Sequence, residues 1–398
     1  MKGYTGVLPN GEAIHYVDRK RWLWLLSAIY PLQTLVPVWL HHVSGNESWF
    51  VLLFVANFIV LPLLDMIIGK DENNPPEAVV MQLNRDHYDR YLTYAAACTH
   101  LVAFLVPAIY ASTQGLSWWA FLLLAVQAGV VGGLAINTAH ELGHKNSRFE
   151  KWLARMTLGI AAYGHFTGEH NRGHHMLVST PDDTASARMG ETIYRFALRE
   201  IPGAFMRGWE VEQERLRARR VPLWHYSNPI LQSYAVSLAL AALLVAWAGW
   251  LALPFLLVHH ATAYWQLTSA NYVEHYGLLR ERRDGGRYER CQPHHSWNSN
   301  HVVSNLVLFH LQRHSDHHKN PLRRYQSLRH YEDLPSLPNG YLGMFLVAWI
   351  PPWWFRVMDK RLMALSHIDG DLDKVNVDPR AAPNLYRDWG HDEKPDTV

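Results

Sequence analysis

WWAFLLLAVQAGVVGGLAINTAHELGHK, residues Trp118–Lys145, reads as two things in succession. From Trp118 to Ala139 it holds no Asp, Glu, Lys or Arg and is long enough to cross the ~30 Å hydrocarbon core of a bilayer as a helix. It then runs without a break into His140-Glu141-Leu142-Gly143-His144, where two imidazoles at i and i+4 share one helical face. A membrane helix that ends in paired histidines predicts a metal site at the membrane boundary, reachable from water and from lipid.

Outward from this stretch the same segregation repeats. The mean hydropathy of the 398-residue chain is only −0.14, yet charge is absent from long stretches and dense between them. Five more stretches are long and apolar enough to cross, near Trp22–Val43, Trp49–Ile68, Tyr91–Ser112, Leu231–Trp250 and Leu251–Asn271. The expected fold is therefore all-α, a polytopic membrane protein of about six transmembrane helices under a cytoplasmic helical cap. Orientation follows from Lys and Arg. Arg19, Lys20 and Arg21 precede the first span; Lys70, Arg85 and Arg90 separate the second and third. Lys145, Arg148, Lys151 and Arg155 follow the fourth, and Arg280, Arg282 and Arg283 the sixth. The connections His41–Ser48, Thr113–Ser117 and Ala248–Pro254 hold none. Both termini and the histidine-bearing segments are expected in the cytoplasm.

One integral-membrane domain is expected over residues 1–372, with its cap built from Glu141–Ser227 and Tyr272–Leu372, and residues 373–398 as a polar tail or linker. Arg207–Arg220 reads as an exposed amphipathic helix with a solvated charged face. Tyr341–Phe355, broken by Pro351 and Pro352, reads as an interfacial segment with Trp353 and Trp354 at headgroup level. The first residues are polar and carry no apolar signal region. Two cysteines, Cys98 and Cys291, are too few for a disulfide framework, an iron–sulfur centre or a Cys-x-x-Cys pair. A net charge of +2 decides little.

Nine histidines fall into four clusters on the predicted cytoplasmic side: His140 and His144 in HELGHK; His170, His174 and His175 in EHNRGHH; His275 in NYVEHYG; His314, His317 and His318 in HSDHH. Imidazole is the commonest protein ligand for iron, copper, zinc and nickel. A mononuclear catalytic site takes two or three protein ligands and keeps an open position, so nine ligands predict two metals. Such thiolate-free ligation suits iron and would also accept zinc or copper. Each cluster carries a carboxylate, Glu141, Glu169, Glu274 or Asp316, expected to accept the second ring N–H of a ligand and fix its tautomer. A lone histidine is more often a surface or satisfied core group. That reading is given to His41, His42, His100, His294, His295 and His301. His259 and His260 within the sixth span are expected to hydrogen-bond or support ligands, and His310, one turn before His314, is a further ligand candidate.

Taken alone, His140-Glu141-Leu142-Gly143-His144 also fits the H-E-x-x-H pattern of zinc proteases, but that chemistry leaves the other three clusters unused. A metal transporter would need polar groups across the whole membrane, whereas Asn57, Asp65 and His100 are scattered.

HELGHK, EHNRGHH, NYVEHYG and LQRHSDHH together resemble the four histidine motifs of the membrane alkane 1-monooxygenases, within the wider group of membrane fatty-acid desaturases, hydroxylases and xylene monooxygenase. NYVEHYG points to the alkane branch. The resemblance runs from about the first span to Arg361. It implies two non-haem irons on His140, His144, His170, His174, His175, His275, His314, His317 and His318, with no further catalytic side chain. It implies O₂ as co-substrate and hydroxylation of medium- or long-chain n-alkanes to 1-alkanols. Rubredoxin, reduced by rubredoxin reductase, is implied as the electron donor, separate or fused beyond residue 398. The implied location is the bacterial inner membrane. A lipid desaturase or a xylene-type monooxygenase is the alternative. An unactivated C–H bond offers neither an acidic proton nor an electrophilic carbon, so a redox metal with O₂ is the chemistry such a substrate demands. An apolar passage that admits the chain end first would give the positional selectivity.

Overall fold

The computed structural model describes residues 2–389. Among the described residues, four helices are long and apolar enough to cross a membrane: α1 (Glu47–Ile68), α2 (His87–Thr113), α3 (Trp118–Gly143) and, after α4 (Arg148–Ile160), α5 (166–177) and α6 (Ile193–Ala218), the fourth, α7 (Pro229–Ala248). The expected first span is not one helix. Pro31 lies in a 3₁₀ turn, Tyr30–Thr34, that divides Leu25–Ile29 from Leu35–Ser44; proline lacks the N–H that an α-helix interior requires. The expected sixth span is one helix, α8 (Ala252–His275). It carries His259, His260, Gln266, Asn271 and Glu274 and falls short of spanning hydropathy.

The fold is not wholly helical. Lys2–Val7 and Ala13–Asp18 pair as an antiparallel hairpin, β1 and β2. Tyr4 and Tyr16 from this hairpin pack with Val79 and Leu83. Lys2, Tyr4 and Arg21 converge on Asp86, whose carboxylate also caps α2 by accepting from the Tyr88 N–H.

Helices α3 and α8 form the central pair. A Cβ on Gly129 would lie 2.6 Å from the His259 carbonyl oxygen, and one on Gly133 would lie 2.4 Å from the Gln266 side chain. Small residues on α3 let the two backbones approach. That approach brings His140 and His275, near the ends of the two helices, to one level.

The remaining elements close over this end: α9 (His314–Lys319), α10 (Tyr341–Ala348) and α11 (Pro351–Met363). Trp354, expected at headgroup level, is fully buried against Tyr272 and Tyr276; Trp353 is about half exposed, at 49%. Two prolines at the N-terminus of α11 start a helix there, where their missing N–H groups are not needed, and its first turn points Trp354 into the core. Arg207–Arg220 lies mostly on α6 with Leu216 and Glu212 buried. Residues 375–378 are packed rather than loose. Asn376 bonds the Gly277 carbonyl at 2.9 Å, and Arg195 holds Asp378 at 2.7 Å. Leu385, in the short helix Ala382–Trp389, is also buried. Positions 390–398 of the expected tail lie outside the described residues.

Candidate metal centre

The nine clustered histidines come together in two adjacent groups. His140, His144, His170, His175 and His317 form one; His174, His275, His314 and His318 form the other, and within each the ring nitrogens lie within 4.8 Å of one another. The contacts run through Nε2: His140 to His317 at 2.9 Å, His317 to His175 at 3.2 Å and His175 to His170 at 3.1 Å. In the second group His314 Nε2 lies 3.1 Å from that of His275 and 2.9 Å from that of His318. Nε2 of His144 and of His174 are buried without a partner.

Local backbone geometry produces this division. His170–His174 is a π-helical turn, not an α-helical one. Its wider turn aligns i with i+5, so His170 meets His175, while His174, the i+4 partner expected from sequence, joins the other group. In α9, the i,i+4 pair His314 and His318 stays together and His317 faces the first group.

Burial, reinforced by neighbouring imidazoles, holds His144, His170, His314, His317 and His318 well below the usual 6.5. The rings are neutral at pH 7, the form that binds metal. Neutral rings whose Nε2 atoms face each other cannot all be satisfied by hydrogen bonds. The donor set fits two cations, one per group.

The four expected carboxylates divide. Glu274 Oε2 lies 3.4 Å from His314 Nε2, on the converging side of the ring rather than behind it. Among the described residues, Glu141, Glu169 and Asp316 hydrogen-bond to none of the nine rings. Glu141 is ion-paired with Lys145 at 3.0 Å, which also leaves it poorly placed as a zinc-protease base. Asp316 is taken up by Arg323, Asn320, Tyr331 and the Arg329 N–H. One Oε of Glu169 is buried without a partner. Glu141, Glu169 and Asp316 each turn away from the clustered rings although each is adjacent in sequence to a clustered histidine; Glu274, beside His275, does not.

The group that does sit behind a ring is Asp183, which accepts from His174 Nδ1 at 2.9 Å. Burial would raise its carboxyl, but His174 and the Ser186 hydroxyl hold it down to about 2. Nothing in Ser179-Thr180-Pro181-Asp182-Asp183 marks it beyond nearness to EHNRGHH. His275 Nδ1 lies 3.4 Å from the His295 carbonyl oxygen, again leaving Nε2 for the centre.

Other histidines stay apart. His310 donates to the Tyr325 carbonyl at 2.8 Å and meets Lys20 and Asp71, not the cluster. His100 bonds Thr138, and His259 pairs with His260. His294 and His295 approach Glu289. The Gln292 N–H donates to His295 Nδ1, so in the neutral ring Nε2 carries the proton and faces Glu289 at 3.2 Å instead of ligating.

An apolar cavity of about 60 Å³ reaches His140, His170, His314 and Glu274. Val130, Leu134, Leu342 and Phe345 are among its walls. It follows one face of α3.

The Fatty acid desaturase family model matches residues 116–348, which hold α3 and all nine converging imidazoles. Over 391 residues the chain is 48% identical to alkane 1-monooxygenase of Pseudomonas putida, spanning 98% of this chain and 96% of that protein. It is 49% identical over 394 residues to alkane 1-monooxygenase 1 of Alcanivorax borkumensis, spanning 98% and 97%. With the xylene/toluene monooxygenase hydroxylase component of Pseudomonas putida it shares 30% over 243 residues, 58% of this chain and 62% of that one. The chain belongs to the alkane 1-monooxygenase family.

Proposed function

We propose that this protein hydroxylates the terminal carbon of medium- or long-chain n-alkanes to give 1-alkanols, using O₂ and two electrons per turnover. The observation that carries this reading is the apolar cavity that reaches the convergent histidines. Relatives named alkane 1-monooxygenase along nearly the whole chain support it.

The nine histidines would hold two irons, five rings on one and four on the other. When bound, the irons supply the O₂-dependent oxidation that no side chain here can perform. The chain's own contribution is positional. The cavity walls orient a linear substrate so that its terminal methyl meets the centre, and the apolar lining excludes water. Asp183 fixes the His174 tautomer so that Nε2 is free. Glu274 holds a carboxyl group on the same side as the ring Nε2 atoms, where it would hold or pass a proton. One oxygen atom of O₂ enters the alcohol; the other leaves as water with the two electrons and two protons.

With two unpaired cysteines, Cys98 and Cys291, the chain has no Cys₄ iron of its own. Rubredoxin, recharged by rubredoxin reductase, is the proposed donor. The alternation of Lys- and Arg-rich connections with apolar helices supports an inner-membrane protein with its termini and metal centre in the cytoplasm.

The test is product identification. Purified protein in lipid nanodiscs, with rubredoxin, its reductase and NADH under ¹⁸O₂, should convert octane to ¹⁸O-labelled 1-octanol. An alkene, two hydrogens lighter, would identify a desaturase. Turnover of xylene to the benzylic alcohol with none of octane would identify the aromatic-methyl chemistry named for the 30%-identical relative.

A further inference from the structure

A second cavity, of about 390 Å³, lies on the far side of the histidine turn, between α4, α5, α6 and the start of α7. Its size falls in the small-ligand range of about 300–1,000 Å³. Lys151, Arg155, Arg172, Arg215 and Arg219 line it, against a single carboxylate, Glu212. Glu212 is already engaged by Arg215 at 2.7 Å. Among the described residues, Lys151, Arg172 and Arg219 form no ion pair. Burial with Arg215 nearby lowers the Arg155 guanidinium. Like charges crowded into one concavity are costly unless an anion joins them.

The position says which anion. Pro229 and Ile230 form part of the wall and begin α7, a helix of spanning length and hydropathy. Just before it, Trp224 and Tyr226 are 77% and 82% exposed. Trp152 is also exposed, and the Arg155 guanidinium lies 4.9 Å from its ring. Amphipathic aromatics beside the end of a membrane helix sit at headgroup depth, and cations there meet lipid phosphates. The cationic surplus favours a headgroup with net negative charge over a zwitterionic one, whose own cation the cleft would repel.

We propose that this cleft binds the phosphate group of an anionic phospholipid headgroup. The inference rests only on α7 crossing the membrane, not on the proposed reaction. Binding there would also brace the turn that carries the ligands. Arg172 lies between His170 and His174, and Asn171 bonds the Gly143 carbonyl at 3.3 Å.

The experiment is a thermal-shift titration of the full chain in a neutral detergent, at constant ionic strength. The probes are dihexanoyl phosphatidylglycerol, dihexanoyl phosphatidylcholine and inorganic phosphate. Phosphatidylglycerol should stabilise saturably, phosphatidylcholine should not, and inorganic phosphate should need at least about ten-fold more because it lacks the glycerol and acyl contacts. Lys151→Gln with Arg219→Gln, both exposed positions, should weaken phosphatidylglycerol roughly 25-fold without lowering the lipid-free midpoint. Arg155→Gln should weaken it as well. Equal response to both lipids, or an unchanged double variant, overturns the proposal. Equal potency of inorganic phosphate makes this a free-anion site and overturns the lipid assignment. A double variant that keeps the lipid response but loses rubredoxin binding makes it a protein-docking face, which also overturns it.

Discussion

Asp183 and His174 are joined by a 2.9 Å hydrogen bond in which the ring Nδ1–H donates to Oδ2, and both side chains are almost wholly buried. The bond orients the ring, and the same carboxylate oxygen accepts the Ser186 hydroxyl at 2.7 Å. Replacing Asp183 by Asn keeps the volume and removes the charge that makes the ring a better donor to a metal. Metal retention against a chelator should fall about ten- to hundred-fold. Asp316→Asn is the contrast. Its partners are Arg323 and Tyr331, not a ring, so it should lower the unfolding midpoint while leaving the affinity of the folded fraction for metal unchanged. Inductively coupled plasma analysis after dialysis, beside a melting curve, separates the two.

Cavity length should set the preferred alkane. Val130, Gly133, Asn137 and His140 follow one another along the same cavity wall. Ten residues of α-helix separate Val130 from His140, about 15 Å. Val130→Phe would fill the far end. Competition among n-alkanes of graded length should then shift product toward shorter alcohols, with short-chain turnover kept. Unchanged ratios would mean that the substrate enters elsewhere.

Glu200 predicts a pH dependence of stability. Burial lifts its carboxyl from 4.5 to about 7, despite hydrogen bonds from Thr268 at 2.7 Å and Asn271 at 3.0 Å. The folded state holds this proton more tightly than the unfolded chain. Its contribution is therefore fully present below pH 4.5 and is lost as pH rises through 7, by about 3 kcal/mol at most. Glu200→Gln mimics the protonated form. Relative to wild type, its melting midpoint should rise progressively between pH 5 and pH 8; a constant difference would show that Glu200 does not titrate in that window.

How much of this was readable in the residues differs from element to element. Four expected spans, at α2, α3, α7 and α8, appear as single helices, α8 short of spanning hydropathy, and a fifth runs through α1 with a π-turn at Ala56–Val60. In each, apolar length is a local property. Leu25–Ser44 is helical but passes through a 3₁₀ turn at Tyr30–Thr34, which holds Pro31, and is not among the helices of spanning hydropathy. The convergence of nine histidines was readable from their spacing. Their partition was not: it depends on the π-turn at His170–His174, which only the packed backbone settles. Of the four expected carboxylates only Glu274 lies beside a clustered ring, for the same kind of reason. Sequence neighbours on a helix point to different faces, whereas Asp183 reaches His174 through a loop with no periodic signature.

The central claim is a paired metal centre divided five and four. The most direct measurement is the metal content per chain of the protein purified from iron-replete cells in a membrane mimetic, for wild type and for His144→Ala and His314→Ala. The division predicts two irons per wild-type chain, and about one in each variant, lost from opposite groups. A single metal per chain, or zinc in place of iron, would contradict it.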